Sequence, residues 1–160
     1  MTIRVSSADA PHVTTPPASL SPWTMPILRG GMGLFLATWG LDKLIAVEGS
    51  QRIFTRFYGL DAGPSLVQLA GIAELLLALA LAVGLLRRPV AWIVLVVNAV
   101  STVASWRQIL DPWGVLGIGQ GGSHLFLASI VIMAVSVVLV LNAGDETLTL
   151  DRRLARRRAE

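Results

Sequence analysis

The chain contains no cysteine. Disulfides, thiolate metal sites, iron–sulfur clusters and dithiol relays are therefore closed to it. Charge is scarce too. Asp, Glu, Lys and Arg make up 14% of the 160 residues, against roughly 25% in soluble domains. Histidine occurs only at 12 and 124, and His12 falls in an N-terminal tail, which excludes a bis-histidine haem within one subunit. His124 would need Glu74 or Asp111 to complete a metal site, so no metal and no intrinsic cofactor are expected. The net charge of +3 gives no reason to expect nucleic acid, because the arginines gather at the ends of apolar runs and in one tail.

What is present is 54% hydrophobic and blocked into long runs. A hydrocarbon core takes about 20 mostly apolar residues as helix. Four segments meet that need, at about 26–47, 65–86, 89–106 and 124–141. The expected fold is all-α, an integral membrane four-helix bundle over 23–143. Residues 1–22, with Pro11, Pro16, Pro17 and Pro22, read as a flexible tail that cannot bury enough apolar surface to order itself. Residues 144–160 read as a basic cytoplasmic tail acting at the membrane surface, with Arg152, Arg153, Arg156, Arg157 and Arg158. No cleavable signal peptide is expected, since no basic start leads into an early apolar stretch.

Between the first two spans, Ile53, Phe54, Phe57 and Tyr58 interleave with Arg52 and Arg56 at helical spacing, which predicts an amphipathic turn lying in the interface. The loop RQILDPWGVLGIGQGGS is broken by glycines and Asp111-Pro112 and cannot be continuous helix. Its Gly117, Gly119 and Gly122 satisfy G-x-G-x-x-G formally, but no strand precedes them and a membrane span follows, so no dinucleotide site is expected.

Basic residues near the spans set the orientation. With four spans, Arg4, Arg29, Arg87, Arg88 and the tail arginines share one side. Lys43, Arg52, Arg56 and Arg107 share the other. The richer side is taken as cytoplasmic, which places both termini inside.

Small and polar residues fall on single helix faces: Arg29, Gly33, Leu36, Gly40 and Lys43 on span one; Gln68, Gly71, Glu74, Ala78 and Ala82 on span two; Asn98, Ser101, Thr102 and Ser105 on span three. Helix–helix packing accounts for most of these stripes, since small side chains let backbones approach in lipid. The ionisable groups need more. A carboxylate at the depth of Glu74 costs roughly 2.5 kcal/mol or more, so it needs a partner or a purpose. Glu74 lies about 14 Å below the outer interface, counting from Ser65 at about 1.5 Å per residue. Lys43, the only lysine, can reach down from span one, although it also reads as a snorkelling interface residue. One reading is a buried Lys43–Glu74 pair that fixes helix register. The other is a small outward-facing pocket, with Lys43, Glu74, Asn98 and His124 as ligand-binding candidates, Arg29, Lys43 and Glu74 as a buried charge network, and Arg107, Asp111 and Gln120 ringing its mouth. His124 on its own also reads as a helix-start residue.

The pieces LRGGMGLFLATWGLDKL in span one and LAGIAELLLALALAVGLLRRP in span two resemble the DoxX family of small four-helix bacterial membrane proteins, over about residues 27–141. The resemblance implies a multi-pass protein of the bacterial cytoplasmic (inner) membrane in a respiratory or redox setting. Some relatives form the membrane part of thiosulfate:quinone oxidoreductases, and others accompany superoxide-detoxifying or sulfur-transfer proteins. Arg29, Lys43 and Glu74 match the family's intramembrane charges. Two functions stay open on these grounds: a redox-associated subunit whose pocket handles a quinone-type carrier, or a non-catalytic accessory or assembly subunit of a larger membrane complex. Under either, the partners are the lipid bilayer and other protein subunits or further copies of the chain, and whether it is an enzyme stays open.

Overall fold

The computed structural model describes residues 21–119, 121–144 and 149–159. Apart from Ser21 and Pro22, the expected N-terminal tail lies outside them. All regular structure among the described residues is helical. Helices α1 (Thr24–Ile45), α3 (Pro64–Val83), α4 (Arg87–Ala104) and α6 (Ala128–Asn142) are the long ones. Shorter helices are α2 (Val47–Ile53), α5 (Trp106–Leu110) and α7 (Leu150–Ala159).

Three stretches are long and apolar enough to cross a membrane: Pro64–Val83, Arg87–Ala104 and His124–Asn142. The fourth meets that test only as α1 together with Val47–Tyr58, and the two are bent by 111°. Polarity explains the difference. Helix α1 carries Arg29, Asp42 and Lys43, more charged groups than any other of the four long helices. At the bend, Ala46 leaves helical geometry at φ −113°, ψ 55°. The amphipathic stretch expected here is a helix followed by a π-helical turn at Phe54–Tyr58. It crosses the end of the bundle: the Tyr58 hydroxyl pairs with Ser101 Oγ of α4 at 3.0 Å, and the Phe57 ring meets Phe126 at 5.7 Å between centroids.

The long helices pack as a ring in chain order, with α1 against α3, α3 against α4, α4 against α6 and α6 against α1, and the α1–α3 seam is the most extensive. Small residues make it so. A side chain at Gly71 would meet the Gly40 carbonyl oxygen at 2.8 Å and Lys43 Cβ at 2.9 Å. Only glycine permits that approach, and close approach yields the dispersion contact that holds helices together in lipid.

The main buried cluster lies toward one end of the ring. It consists of Met25, Met32 and Leu36 of α1, Ala78 and Leu81 of α3, Val90, Ala91 and Val94 of α4, and Leu139 and Ala143 from α6 and its end. Outside it, Leu34, Leu69, Leu76, Ile93, Val131 and Leu141 are exposed, as a lipid-facing surface requires.

Span two ends earlier than its hydropathy indicates. Gly84 adopts φ +70° and closes α3 at Val83, the left-handed stop that glycine supplies at no steric cost. Leu86 also sits at φ 48°, which is strained for a branched residue. The beginning of α7 accounts for it. Asp151 accepts hydrogen bonds from the backbone N–H groups of Leu86 at 3.0 Å and Arg87 at 3.1 Å, and its carboxylate also meets Arg87 Nε at 3.4 Å. It thus caps α4 from the far end of the chain. Thr149 is buried against Gly84. Thr149 and Asp151 of the expected surface tail therefore pack onto the bundle.

Candidate functional site

Lys43 Nζ lies 2.5 Å from Glu74 Oε2 and also donates to the Trp39 carbonyl at 3.2 Å. Helix geometry brings the two together. Gly33 packs on Ala78 and Gly40 on Gly71, which sets Lys43 level with about residue 68 of α3. Glu74 is six residues farther along, about 9 Å deeper. Side chains of a helix tilt toward its N-terminus. Lys43, at the end of α1, therefore points into the bundle, while Glu74 points back out toward the start of α3. The amine and the carboxylate meet between these levels. The side chains keep 17% and 13% of their surface, so the pair opens on the bundle's edge. Trp39 stands beside it, 42% exposed, with its ring centroid 5.8 Å from Nζ and Phe35 edge-on behind it.

Asn98 belongs elsewhere. It is buried, and its amide donates to Ser136 Oγ at 2.9 Å and to Met32 Sδ at 3.6 Å. Ser136 in turn donates to the Ile132 carbonyl. This neutral bolt joins α4, α6 and α1 inside the ring, and sequence reasoning missed Ser136 because nothing in an apolar helix singles it out. Arg29 is not part of a three-charge network. It lies fourteen residues from Lys43, about 21 Å along α1, buried at the opposite end beside Gly84. A cavity of about 10 Å³ there is lined by Arg29, Arg87, Leu81 and Leu139 among others, room for about one water.

The residues proposed for the mouth also separate. Asp111 is buried and accepts from the backbone N–H groups of Leu116, Ile118 and Gly119 at 3.0–3.1 Å. Burial works to raise its carboxyl, and the hydrogen bonds from Gly119, Leu116, Ile118 and Val115 outweigh it, leaving the group below its ordinary 3.8. Asp111 thus organises the glycine loop from within. His124 is exposed at the start of the 3₁₀ turn His124–Leu127. Gln120 lies outside the described residues. Arg107 does line an open cleft of about 420 Å³, with Arg56, Phe57, Ala104, Trp106, Gln108, Ile118 and Gly119. Lys43, Glu74, Asn98 and His124 are not among its lining residues. Of the candidates read from sequence, the structure joins Lys43 to Glu74 and sets the others apart.

No curated protein and no solved structure matches the chain. The DoxX family model matches residues 24–106, from the first helix through the fourth and into the start of α5, the part that carries Arg29, Lys43 and Glu74. By that match, which spans more than half of its length, the chain belongs to the DoxX family and is a multi-pass membrane protein.

Proposed function

We propose that the protein is a redox-associated membrane subunit in which Lys43 and Glu74 meet the head group of a quinone-type carrier arriving from the lipid. The observation that carries this reading is the partly open ion pair at membrane depth, with Trp39 beside it. A pair that only fixes helix register needs no opening to its surroundings. This one keeps both charges reachable from the edge of the bundle. A quinone carbonyl accepts a hydrogen bond from an ammonium, and its reduction requires protons that a carboxyl can pass on. Trp39 and Phe35 would flank the ring, and the carrier's tail would remain in lipid. The chain holds no thiol and no redox group among its own side chains, so electrons would come from or go to a partner protein.

The same proposal places both ends of the chain on the cytoplasmic side of a bacterial inner membrane. Arg87, Arg88 and the tail arginines then lie inside and Lys43, Arg52, Arg56 and Arg107 outside, as the distribution of basic residues favours. The absence of native cysteine makes the test clean. Single cysteines at the exposed Asp61 and at Ser123 should react with an impermeant thiol reagent on intact cells, and one at the exposed Ala155 should react only after permeabilisation. The reverse pattern sinks the orientation.

The binding test is thermal. Quinone added to the purified protein should raise its melting temperature, by about 2.7 kcal/mol of mass action at a hundredfold excess over the dissociation constant. Glu74→Gln should reduce that shift while leaving the response to a plain long-chain lipid intact. Equal stabilisation by quinone and lipid would instead favour a non-catalytic accessory subunit whose buried charges serve packing alone.

A further inference from the structure

The open cleft is built from three separated stretches of chain. Arg56 and Phe57 come from the π-helical turn, Ala104 to Gln108 from the end of α4 and from α5, and Ile118 and Gly119 from the glycine loop. Its volume of about 420 Å³ falls in the range of small-molecule sites. Two cations line it, and each is steered by an aromatic neighbour lining the same space. Arg56 Cζ lies 5.7 Å over the Phe57 ring and Arg107 Cζ 5.3 Å over the Trp106 ring. A guanidinium beside an aromatic ring is attracted to its π electrons, and its fork of N–H groups matches the oxygens of a phosphate.

Among the described residues, the opposing charges near the cleft are weaker. The carbonyl end of α4 contributes about half a negative charge. Asp111 stands behind Gly119, and three backbone N–H groups occupy its carboxylate. Two arginines outweigh both. Gln108 adds an amide at the wall. From this arrangement we propose that the cleft binds a phosphate-bearing anion, with Arg56 and Arg107 as the clamp and Phe57 and Trp106 flanking its uncharged part. The site goes beyond the quinone reading, since the cleft lining includes neither Lys43 nor Glu74.

The phosphate could belong to a soluble phosphorylated molecule or to a lipid head group, and one titration separates them. Inorganic phosphate is added to the full-length protein in phosphatidylcholine nanodiscs at constant ionic strength, and tryptophan fluorescence is read, with Trp106→Phe assigning the signal. A saturable response is expected, weakened roughly tenfold by Arg56→Gln or by Arg107→Gln, which corresponds to about 1.4 kcal/mol, and abolished by both together. Repeating the titration in phosphatidylglycerol nanodiscs identifies the source. Loss of the phosphate response there shows that the lipid head group already occupies the clamp, whereas an unchanged response shows a soluble anion. No saturable response in phosphatidylcholine, or one that survives the double replacement in protein with unaltered melting temperature, overturns the proposal. The quinone titration reports on other residues, so a negative result there leaves this test standing.

Discussion

The two ends of the bundle are built to different densities. At the end where Arg29 lies, four helices close over a methionine, leucine and valine core, Asp151 caps α4, and the described cavity has about 10 Å³. At the end crossed by α2, small buried groups such as Ser50, Ala62 and Val67 and side-chain contacts such as Tyr58–Ser101 and Phe57–Phe126 hold the chain, and the cleft there has about 420 Å³. Dense packing makes a region rigid and intolerant of change. Looser contact at the other end leaves space for a ligand. Stability and ligand handling are thus divided between the ends, and the Lys43–Glu74 pair lies toward the open one.

Gly84 should give the largest effect if that division holds. Its φ is +70°, and a Cβ there would collide with the Arg29 guanidinium and come within 3.0 Å of Thr149 Cβ. Backbone strain of about 1–3 kcal/mol adds to an overpacking cost of similar size. Gly84→Val should lower detergent stability by about 3–4 kcal/mol and release α7, measured by thermal melting and by protease cleavage of the tail. A loss below about 1 kcal/mol would show that the Arg29 end is not the rigid one.

The ion pair comes next. Removing one partner leaves the other charge uncompensated, typically about 3–5 kcal/mol when buried. The residual exposure puts the cost here near the lower figure, about 3 kcal/mol. Glu74→Gln and Lys43→Met should each lower the melting temperature, and the double variant should recover much of the loss. Additive losses would mean that the charges do not stabilise each other, and the open end would then owe nothing to them.

These contrasts were unequally legible in the sequence. The four apolar segments, the α1–α3 glycine stripe and the Lys43–Glu74 pairing could be read directly. An intramembrane carboxylate has few possible partners, and helix periodicity fixes which face it shares. The Asn98–Ser136 bolt was hidden because one serine among valines carries no signal. Asp151 was hidden for another reason: it acts 64 and 65 residues away on Arg87 and Leu86, from a segment whose composition reads as a solvated tail. The cleft joins residues near 56, 107 and 118, and no single stretch announces it. Arg107 was visible as a mouth residue, whereas Arg56 read only as an interfacial cation.

A smaller effect is expected from the cap. Asp151 replaces the side chain that Leu86 cannot supply at the start of α4, and removal of such a cap costs about 1 kcal/mol. Burial works to raise its carboxyl, but the backbone N–H groups of Arg87 and Leu86 and the Arg87 side chain outweigh it and hold the group below 3.8. A folded value below the unfolded one means that stability is present above pH 3.8 and is lost as the pH falls through the lowered value. Asp151→Asn should therefore melt earlier than the native chain near neutrality, and the difference should shrink in acid. Truncation of residues 152–160, which keeps Asp151, should cost less than Asp151→Ala. A larger cost for the truncation would move the staple into the helix itself.

Arg107→Gln should change stability least, although it alters the most open region. The side chain is exposed and meets the ring of Trp106 next to it. Exposed interactions of this kind contribute about 0.5–1 kcal/mol at most. The replacement should leave the melting temperature within about half a kcal/mol of the native value while weakening phosphate binding. That combination separates a ligand-handling residue from a structural one, since no substitution at Gly84 or Asp151 should spare stability in the same way. If Arg107→Gln instead destabilises the bundle as strongly as Asp151→Ala, the cleft is a structural joint, and the division between a rigid end and a receptive end fails.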